Sequence, residues 1–419
     1  MWQYMSKPSV FIIFLTVFID LIGFGIVLPL VPNFSRNFGA SEAFCGVIMA
    51  SFSAMQFFCA PFWGRLSDRI GRRPVILIGL GGSTLSYIVF ALAFSLPEGM
   101  KEYVLWVVLG SRILAGIMGA NISVAQAYMA DITPPEKRSK SMGLIGMAFG
   151  LGFILGPCIA ALALSFFGLS GPGWFAAGIS GFAFVYALAK LAESNTSHAS
   201  KAEQRPHLQQ IVHVLGMPQV GLLIMLFFLA TFCFTTFETT LGWLVQDNFS
   251  LDTTKPEGLR TVSYLFAFAG FVGAMVQGGA IGRLVKMFGE KKLVVISLVM
   301  TGASLAPLPY ANQWTAFLAV LGGLAVGSSL ARAPIFGMIS ILAPEKEQGA
   351  TIGVAQSAGA LARIAGPIFA GACYGYRAEL PYIICAGVSI LAALIAAVKL
   401  KDIKHEERPS AEPAKTPAE

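Results

Sequence analysis

The sequence is poor in charge. Only 12% of its 419 residues are Asp, Glu, Lys or Arg, about half the share of a typical soluble domain. In contrast, 56% are hydrophobic, and the mean hydropathy is +0.71. A chain of this composition cannot hide its apolar surface from water, which excludes a soluble globular domain, a disordered chain and a disulfide-stapled secreted domain. The lipid bilayer is therefore expected to be its solvent.

Histidine is scarce, and none of the four histidines lies in a long apolar run, so a histidine-based proton relay or metal centre inside a membrane is not expected. The six cysteines all lie within apolar runs, where cysteine serves as a small packing residue. The sequence lacks a phosphate-binding Gly-x-x-x-x-Gly-Lys-Ser/Thr motif, which argues against ATP-driven pumping. Nucleophile, base and metal ligands do not cluster either. We expect neither an enzyme nor a bound cofactor.

Long apolar runs dominate what is present. Runs such as 10–30 and 294–309 suit membrane-spanning helices, which need ~20 apolar residues, better than the alternating ~10-residue segments of a β-barrel. The first run continues past Asp20 without a cleavage site, so it is expected to remain as helix 1. The pattern predicts an all-α membrane protein with twelve transmembrane helices. The spans are predicted at 10–32, 43–63, 75–95, 102–129, 140–164, 172–190, 218–246, 261–282, 292–311, 313–341, 348–374 and 381–399.

The basic residues are unevenly distributed among the loops. If the N-terminus is cytoplasmic, most of the 29 Lys and Arg residues fall on the cytoplasmic side. Because cytoplasmic loops of membrane proteins are enriched in positive charge, we expect both termini to be cytoplasmic. A bacterial protein of this kind would lie in the cytoplasmic (inner) membrane. The net charge of +7 then reflects topology and contact with anionic lipid, and does not indicate nucleic-acid binding.

The two halves of the chain resemble each other. Gly, Arg, Leu and Gly recur at the same spacing in 64–73, after the second predicted span, and in 282–291, after the eighth. Two further pairs are Pro-Glu-Lys at 135–137 and 344–346 and Gly-Pro at 156–157 and 366–367. Three matches in the same order indicate two homologous, pseudo-symmetric six-helix bundles, related by an axis along the membrane normal.

A polar segment separates these halves. We interpret 191–217, which contains Ser, Glu, Gln, Lys and three histidines, as a cytoplasmic linker that is partly amphipathic near 208–215. The N-terminal bundle then comprises 1–190 and the C-terminal bundle 218–400. The Pro-, Glu- and Lys-rich tail at 401–419 is expected to be disordered.

Several motifs resemble those of a known family. Gly-Arg-Leu-Ser-Asp-Arg-Ile-Gly-Arg-Arg at 64–73 resembles the signature between helices 2 and 3 of the major facilitator superfamily. Residues 109–116 resemble the family's helix 4 motif, and 150–157 its helix 5 antiporter motif. Residues 23–32 resemble the end of helix 1 in twelve-helix drug/proton antiporters, and 55–64 resemble the tetracycline-efflux-like branch. The resemblance implies a proton-coupled secondary active transporter that exports small amphipathic compounds or drugs by alternating access.

In the signature, the resemblance implies a conformational latch between the bundles. Asp68 is expected at a helix N-terminus, paired with a nearby arginine, and the two glycines are expected to permit tight turns. The alternative is that the arginines only anchor the topology. The predicted latch residues are Gly64, Asp68, Arg69, Gly71, Arg72 and Arg73.

In the antiporter motif, Gly152, Gly156 and Pro157 predict close contact with a neighbouring helix and a bend. The resemblance assigns this stripe to a seam that gates the antiporter or prevents leaks. Simple packing of a membrane helix is the alternative.

Five charged residues lie in the interior of the predicted spans, away from their ends, where burial in lipid costs several kcal/mol unless the charge faces a cavity or a partner. Asp20 lies near the middle of helix 1, and Arg112 in helix 4 is its expected counter-charge. Glu238 lies in helix 7, the counterpart of helix 1, so the two acids are expected to face each other across a central cavity. Asp20 is interpreted as the proton-coupling residue and Glu238 as a second candidate. A permanent Asp20–Arg112 structural pair and a solvated, outward-facing Glu238 are the alternatives.

Polar and aromatic side chains at membrane depth are expected to line the cavity, although lipid contact or helix packing would suit any one of them. A large apolar pocket with few polar groups suits an amphipathic or aromatic substrate. The predicted cavity residues are Phe24, Gln56, Asn121, Gln126, Phe237, Trp243, Gln277, Arg332, Gln356 and Arg363.

One departure concerns the substrate. Tetracycline exporters that resemble this chain carry a carboxylate in helix 3 in a Leu-Asp-Tyr setting, where this chain has Leu85, Ser86 and Tyr87. A metal–tetracycline complex is therefore not the expected substrate.

The expected partners are a small molecule, protons and membrane lipid, with the chain as a monomer. The alternatives are a transporter of a specific metabolite or siderophore and a non-transporting receptor. A receptor would predict loss of Asp68 or of the glycine stripe, and both are present.

Overall fold

The apolar runs form long helices. The computed structural model describes residues 9–27, 30–119, 122–133, 138–194, 207–253, 255–343 and 348–401. The long helices in these ranges are α1 (Val10–Val27), α2 (Glu42–Ile70), α3 (Arg72–Ala93), α4 (Val104–Gly119), α5 (Arg138–Phe167), α6 (Gly171–Lys190), α7 (Pro218–Phe249), α8 (Pro256–Met275), α9 (Glu290–Leu305), α10 (Trp314–Leu342), α11 (Gln348–Tyr376) and α12 (Leu380–Lys399). Several segments named in the sequence analysis lie wholly or partly outside the described residues, among them 135–137, 344–346, residues 195–206 of the linker and 402–419 of the tail.

The helices have membrane-spanning length and composition. Eleven segments of the described chain are long and apolar enough to cross a bilayer. One of them, Ile154–Lys190, contains the second half of α5 and all of α6, separated by a turn at Gly168–Ser170. Each of the other ten contains all or most of one of the remaining long helices. The prediction of an all-α membrane protein with twelve transmembrane helices is therefore confirmed.

Helix α2 is longer than predicted. Ser41 caps its start by accepting a hydrogen bond from the Phe44 backbone N–H (3.3 Å), and the helix continues to Ile70. Gly64 lies inside the helix, so the expected turn at Gly64 is wrong. Gly71 does form the turn into α3, with a φ of 101° that favours glycine.

Helix contacts repeat between the halves. In the first half, α1 packs on α5 and α6, α3 on α4 and α6, and α2 on α4. In the second half, α7 packs on α11 and α12, α9 on α10 and α12, and α8 on α10. The second set is the first set shifted by six helices. Between the halves, α2 packs on α11 and α8 on α5, which the same shift also relates. The two pseudo-symmetric bundles are confirmed.

The glycine stripe of α5 packs inside the N-terminal bundle, against α1. A Cβ atom on Gly25 would overlap the Gly152 carbonyl, and one on Gly156 would overlap the Gly25 backbone. Pro157 is buried, and α5 remains one helix through it. The expected close helix contact is therefore made with α1. Gly366 in α11 is similarly close to Thr235 in α7.

The two ends of the molecule differ. We call the end that carries the short helix Val31–Asn37 the far end, and the end that carries 64–73 the loop end. At the far end, the bundles approach closely, since Cβ atoms on Gly46 and Gly371 would overlap the carbonyl oxygens of Pro367 and Glu42. At the loop end, α8 continues through a π-helical turn, Val276–Ala280, and the helix Ile281–Phe288, and neither contains a buried residue. The bundles are thus closed at the far end, while the extension of α8 is exposed.

Candidate functional site

Asp20 is buried within the N-terminal bundle. Its carboxylate accepts a hydrogen bond from the Ser180 hydroxyl of α6 (3.0 Å), and the Ser83 hydroxyl of α3 lies close to the same carboxylate. Ser86, which occupies the position of the missing helix 3 carboxylate, donates to the Ser83 carbonyl (2.7 Å). Two hydroxyls of its own bundle, those of Ser180 and Ser83, therefore lie at the Asp20 carboxylate. Hydroxyls can donate to a carboxylate and accept from a carboxylic acid, so this site can hold either form.

Arg112 does not pair with Asp20. Its guanidinium lies over the rings of Tyr87 (5.9 Å from Cζ to the centroid) and Phe90 (5.3 Å) on α3. None of its three guanidinium nitrogens has a hydrogen-bond partner among the described residues. The Tyr87 ring also contacts Gly23, one turn beyond Asp20. Tyr87 thus lies between the acid and the arginine, and the predicted direct counter-charge is wrong for this conformation.

Glu238 is buried in α7, within electrostatic range of Arg363 on α11. Arg363 in turn lies within electrostatic range of Arg332 on α10. The structure therefore places both acids inside their own bundles. It does not bring Asp20 and Glu238 together as a facing pair.

The predicted cavity residues occupy different environments. Phe24 stacks on Phe52 of α2 (4.7 Å between ring centroids), and Gln56 donates to the Gly119 carbonyl (3.1 Å). Phe237 and Trp243 are buried in an apolar core of the C-terminal bundle, so their expected exposure to a cavity is wrong for this conformation.

The remaining predicted cavity residues vary in exposure. Gln126, Gln356 and Arg363 are half-buried, whereas Gln277 and Arg332 are exposed. Asn121 lies outside the described residues.

The signature segment ties together elements of the N-terminal bundle. Asp68 lies in the last turn of α2 rather than at a helix N-terminus, and its carboxylate pairs with the Arg72 guanidinium (2.6 Å). Arg72 also contacts Asp131 (3.2 Å), beyond the end of α4. Arg73 donates to the carbonyls of Leu191 (2.7 Å) and Leu188 (2.9 Å) at the end of α6. In this conformation, the ion pairs of Asp68 and Arg72 are made within one bundle. The side chain of Arg69 is exposed.

Sequence reasoning missed the residue that caps α3. The Glu193 carboxylate accepts hydrogen bonds from the backbone N–H groups of Arg72 (2.9 Å) and Arg73 (3.1 Å). A Cβ atom on Gly71 would overlap this carboxylate, which gives a second reason for glycine there. A carboxylate at a helix N-terminus is favourable. Glu193 lies more than 100 residues from the start of α3 along the chain, so no local sequence pattern indicates this cap.

Sequence reasoning also missed a polar cluster that joins the bundles at the far end. Arg36 pairs with Glu42 (3.3 Å) and with Asp247 of α7 (3.5 Å). The Tyr374 hydroxyl of α11 donates to Asp247 (2.7 Å). Nearby, Asn37 donates to the Thr253 carbonyl. Because the Arg36–Asp247 and Asn37–Thr253 contacts cross from one bundle to the other, they must break if the far end is to open.

Comparisons with known proteins agree with this architecture. The family model described as Major Facilitator Superfamily matches residues 13–286 and 278–419. The chain belongs to the major facilitator superfamily. It is 32% identical over 393 residues to the class E tetracycline resistance protein of Escherichia coli, covering 90% of this chain and 92% of that protein.

Two further relatives lie in the same superfamily. Multidrug resistance protein 2 of Bacillus subtilis (strain 168) is 28% identical, over 92% of this chain and 94% of that protein. The crystal structure of the human organic anion transporter MFSD10 (TETRAN) superposes with a TM-score of 0.67 at 25% identity, covering 93% of this chain and all of that chain. These matches place this major facilitator protein in the tetracycline-efflux-like branch. Its relatives are transporters and resistance proteins.

Proposed function

We propose that this chain is a proton-coupled secondary active transporter that exports small amphipathic compounds by alternating access. The observation that carries the proposal is the Asp20 site. A membrane-buried carboxyl group is bonded to the Ser180 hydroxyl (3.0 Å) and forms no ion pair within the described chain. Such a group can gain and lose a proton without breaking a salt bridge, which suits a proton carrier.

Arg112 supplies the second part of the proposed cycle. Its guanidinium is buried and lacks a hydrogen-bond partner among the described residues, and the Tyr87 ring contacts both this guanidinium and Gly23, close to Asp20. A movement of Tyr87 would let the arginine approach a deprotonated Asp20. Pairing in one state and separation in the other would couple the charge of Asp20 to the arrangement of the helices.

The glycine stripe and the signature segment have supporting roles in this proposal. Gly152 and Gly156 hold α5 against the backbone of α1 close to Asp20, so a shift of α1 would be transmitted to α5, which contacts α8 of the other bundle. Asp68 is free to exchange its Arg72 partner for a group of the C-terminal bundle when the loop end closes. We assign the loop end to the cytoplasm, because positive charge concentrates there.

Transport assays with purified protein in liposomes test this function. We expect an imposed pH gradient to drive at least one compound of an amphipathic drug panel, and the Asp20→Asn variant to lose this movement. As a control, Asp252→Asn changes an exposed acid that pairs with Lys255 at the far end and should transport normally. Gradient-driven transport by Asp20→Asn at the native rate would refute the assignment.

A further inference from the structure

The C-terminal bundle contains two arginines that the proton site does not use. Arg332 on α10 and Arg363 on α11 lie close enough to influence each other electrostatically. The Arg332 side chain is exposed. Because a guanidinium in contact with lipid at membrane depth would cost several kcal/mol, we expect this exposed side to face an internal cleft.

The charges of this region do not balance. Glu238 is the acid that acts on Arg363, and among the described residues no carboxylate lies within ion-pair distance of Arg332. Two arginines and one acid leave one net positive charge at membrane depth. Because an uncompensated charge there costs several kcal/mol, a bound anion would stabilise this arrangement.

Aromatic side chains connect the two arginines. The Arg332 guanidinium lies over the Phe336 ring (5.8 Å from Cζ to the centroid), and Phe336 meets Phe227 of α7 edge to face (4.9 Å). Phe227 packs directly on Gly359, and Gly359 is also next to Nη1 of Arg363. Guanidinium donors thus lie at two points, and the rings between them are the half-buried Phe336 and the buried Phe227.

We infer that Arg332 and Arg363 bind the anionic group of the transported compound, and that the substrates are amphipathic organic anions whose apolar part packs on Phe336. Guanidinium groups suit this role because their planar donors match a carboxylate, sulfonate or phosphate group. This inference rests on the proposed transport function and names its substrate class and two of its substrate-binding residues.

Two dyes of the same scaffold test the charge selection. Fluorescein is anionic and rhodamine 123 is cationic, and both carry a xanthene ring with a phenyl substituent. Binding to the purified full chain is measured by fluorescence anisotropy without a proton gradient. We expect fluorescein to bind more tightly than rhodamine 123. Arg332→Gln and Arg363→Gln should each weaken fluorescein binding about tenfold, equivalent to about 1.4 kcal/mol, and should not weaken rhodamine 123 binding.

Two control variants separate charge from folding. Arg377→Gln removes an exposed arginine between α11 and α12 and should bind fluorescein like the native protein, whereas Arg332→Lys should retain part of the affinity. No fluorescein binding by the native chain, or equal loss of both dyes in the arginine variants, would overturn the inference. Charge-selective binding without gradient-driven transport would instead contradict the proposed function, while it would still support the anion site.

Discussion

Asp20 and Glu238 lie on helices that correspond under the internal repeat, but their surroundings differ. Asp20 on α1 has a hydroxyl partner at 3.0 Å, and the arginine of its bundle is held away on aromatic rings. Glu238 on α7 lies in the field of Arg363. One bundle therefore isolates an acid from positive charge, and the other provides an excess of positive charge around an acid. We infer a division of labour, with the proton in the N-terminal bundle and substrate recognition in the C-terminal bundle.

The loop-end segments of α2 and of the extension of α8 also correspond under the repeat and differ in their charges. The last turn of α2 is fixed by Asp68, Arg72 and Asp131. The matching end of α8 has Lys286 where α2 has Asp68, and its residues are not buried. The repeat thus preserves the helix pattern of the two bundles but not their charge chemistry. Paired substitutions at corresponding positions separate the two roles.

The largest effect is expected at Asp20. Asp20→Asn should reduce transport driven by a pH gradient to the level of empty liposomes, because an amide cannot carry the proton. Its hydrogen bond with Ser180 can persist, so the protein should still fold and reach the membrane. The measurement is initial transport rate in proteoliposomes at matched protein content, with size-exclusion elution as the folding control. A variant that keeps full gradient dependence would remove Asp20 from the mechanism.

Asp68 and Lys286 form the next test. Asp68→Asn should lower the transport rate several-fold at unchanged membrane abundance, because it removes both the Arg72 pair and the pair that Asp68 would make with the C-terminal bundle when the loop end closes. Lys286→Gln at the matching position of the second bundle should change the rate by no more than about twofold, as expected for an exposed side chain. Equal effects at the two positions would show that the two ends do not differ in function.

The glycine contacts of the two bundles should differ in their tolerance of a methyl group. A Cβ atom on Gly156 meets the backbone of Gly25, whereas the nearest atom to one on Gly366 is the side-chain hydroxyl of Thr235. Gly156→Ala should lower the free energy of unfolding by about 1–3 kcal/mol, and Gly366→Ala by less. Gly387→Ala, which meets no atom within 4 Å, serves as the control. Thermal unfolding in detergent ranks the three variants by their loss of stability. A milder effect at Gly156 than at Gly366 would contradict the expected order.

The smallest effect on coupling is expected at Glu238. Glu238→Gln should leave gradient-driven transport within about twofold of native, since the proton site is in the other bundle. The same change removes a negative charge beside Arg363 and should strengthen fluorescein binding a few-fold. Loss of proton coupling in Glu238→Gln would assign a proton site to both bundles and erase the proposed asymmetry.

Much of the fold followed from patterns that are local in sequence. Continuous apolar runs determine the helices, and the repeat of 64–73 in 282–291 predicts the two bundles. The burial of Asp20 also follows from its place in an apolar run. The end of α2 was misplaced because Gly64 is compatible with a helix interior as well as with a turn, and charged residues continue the helix beyond the predicted membrane boundary.

The side-chain partners could not be predicted in the same way. Whether Arg112 meets Asp20 depends on the rotation of α4 about its axis, and this rotation is set by packing on Tyr87 and Phe90. Trp243 was assigned to the cavity by its residue type, but it packs on the Tyr374 ring (5.3 Å) where the far end is closed. The contacts of Arg36 with Asp247 join residues distant in sequence, which no local pattern marks.

The most direct test of the central claim compares two transport modes of one variant. Gradient-driven movement needs a proton carrier, whereas exchange of labelled for unlabelled substrate at equal pH needs only the alternating movement of the bundles. With a compound that the native protein moves in both modes, we predict that Asp20→Asn retains exchange and loses gradient-driven movement. If Asp20→Asn still concentrates the compound against its gradient when a pH difference is imposed, Asp20 is not the residue that carries the proton.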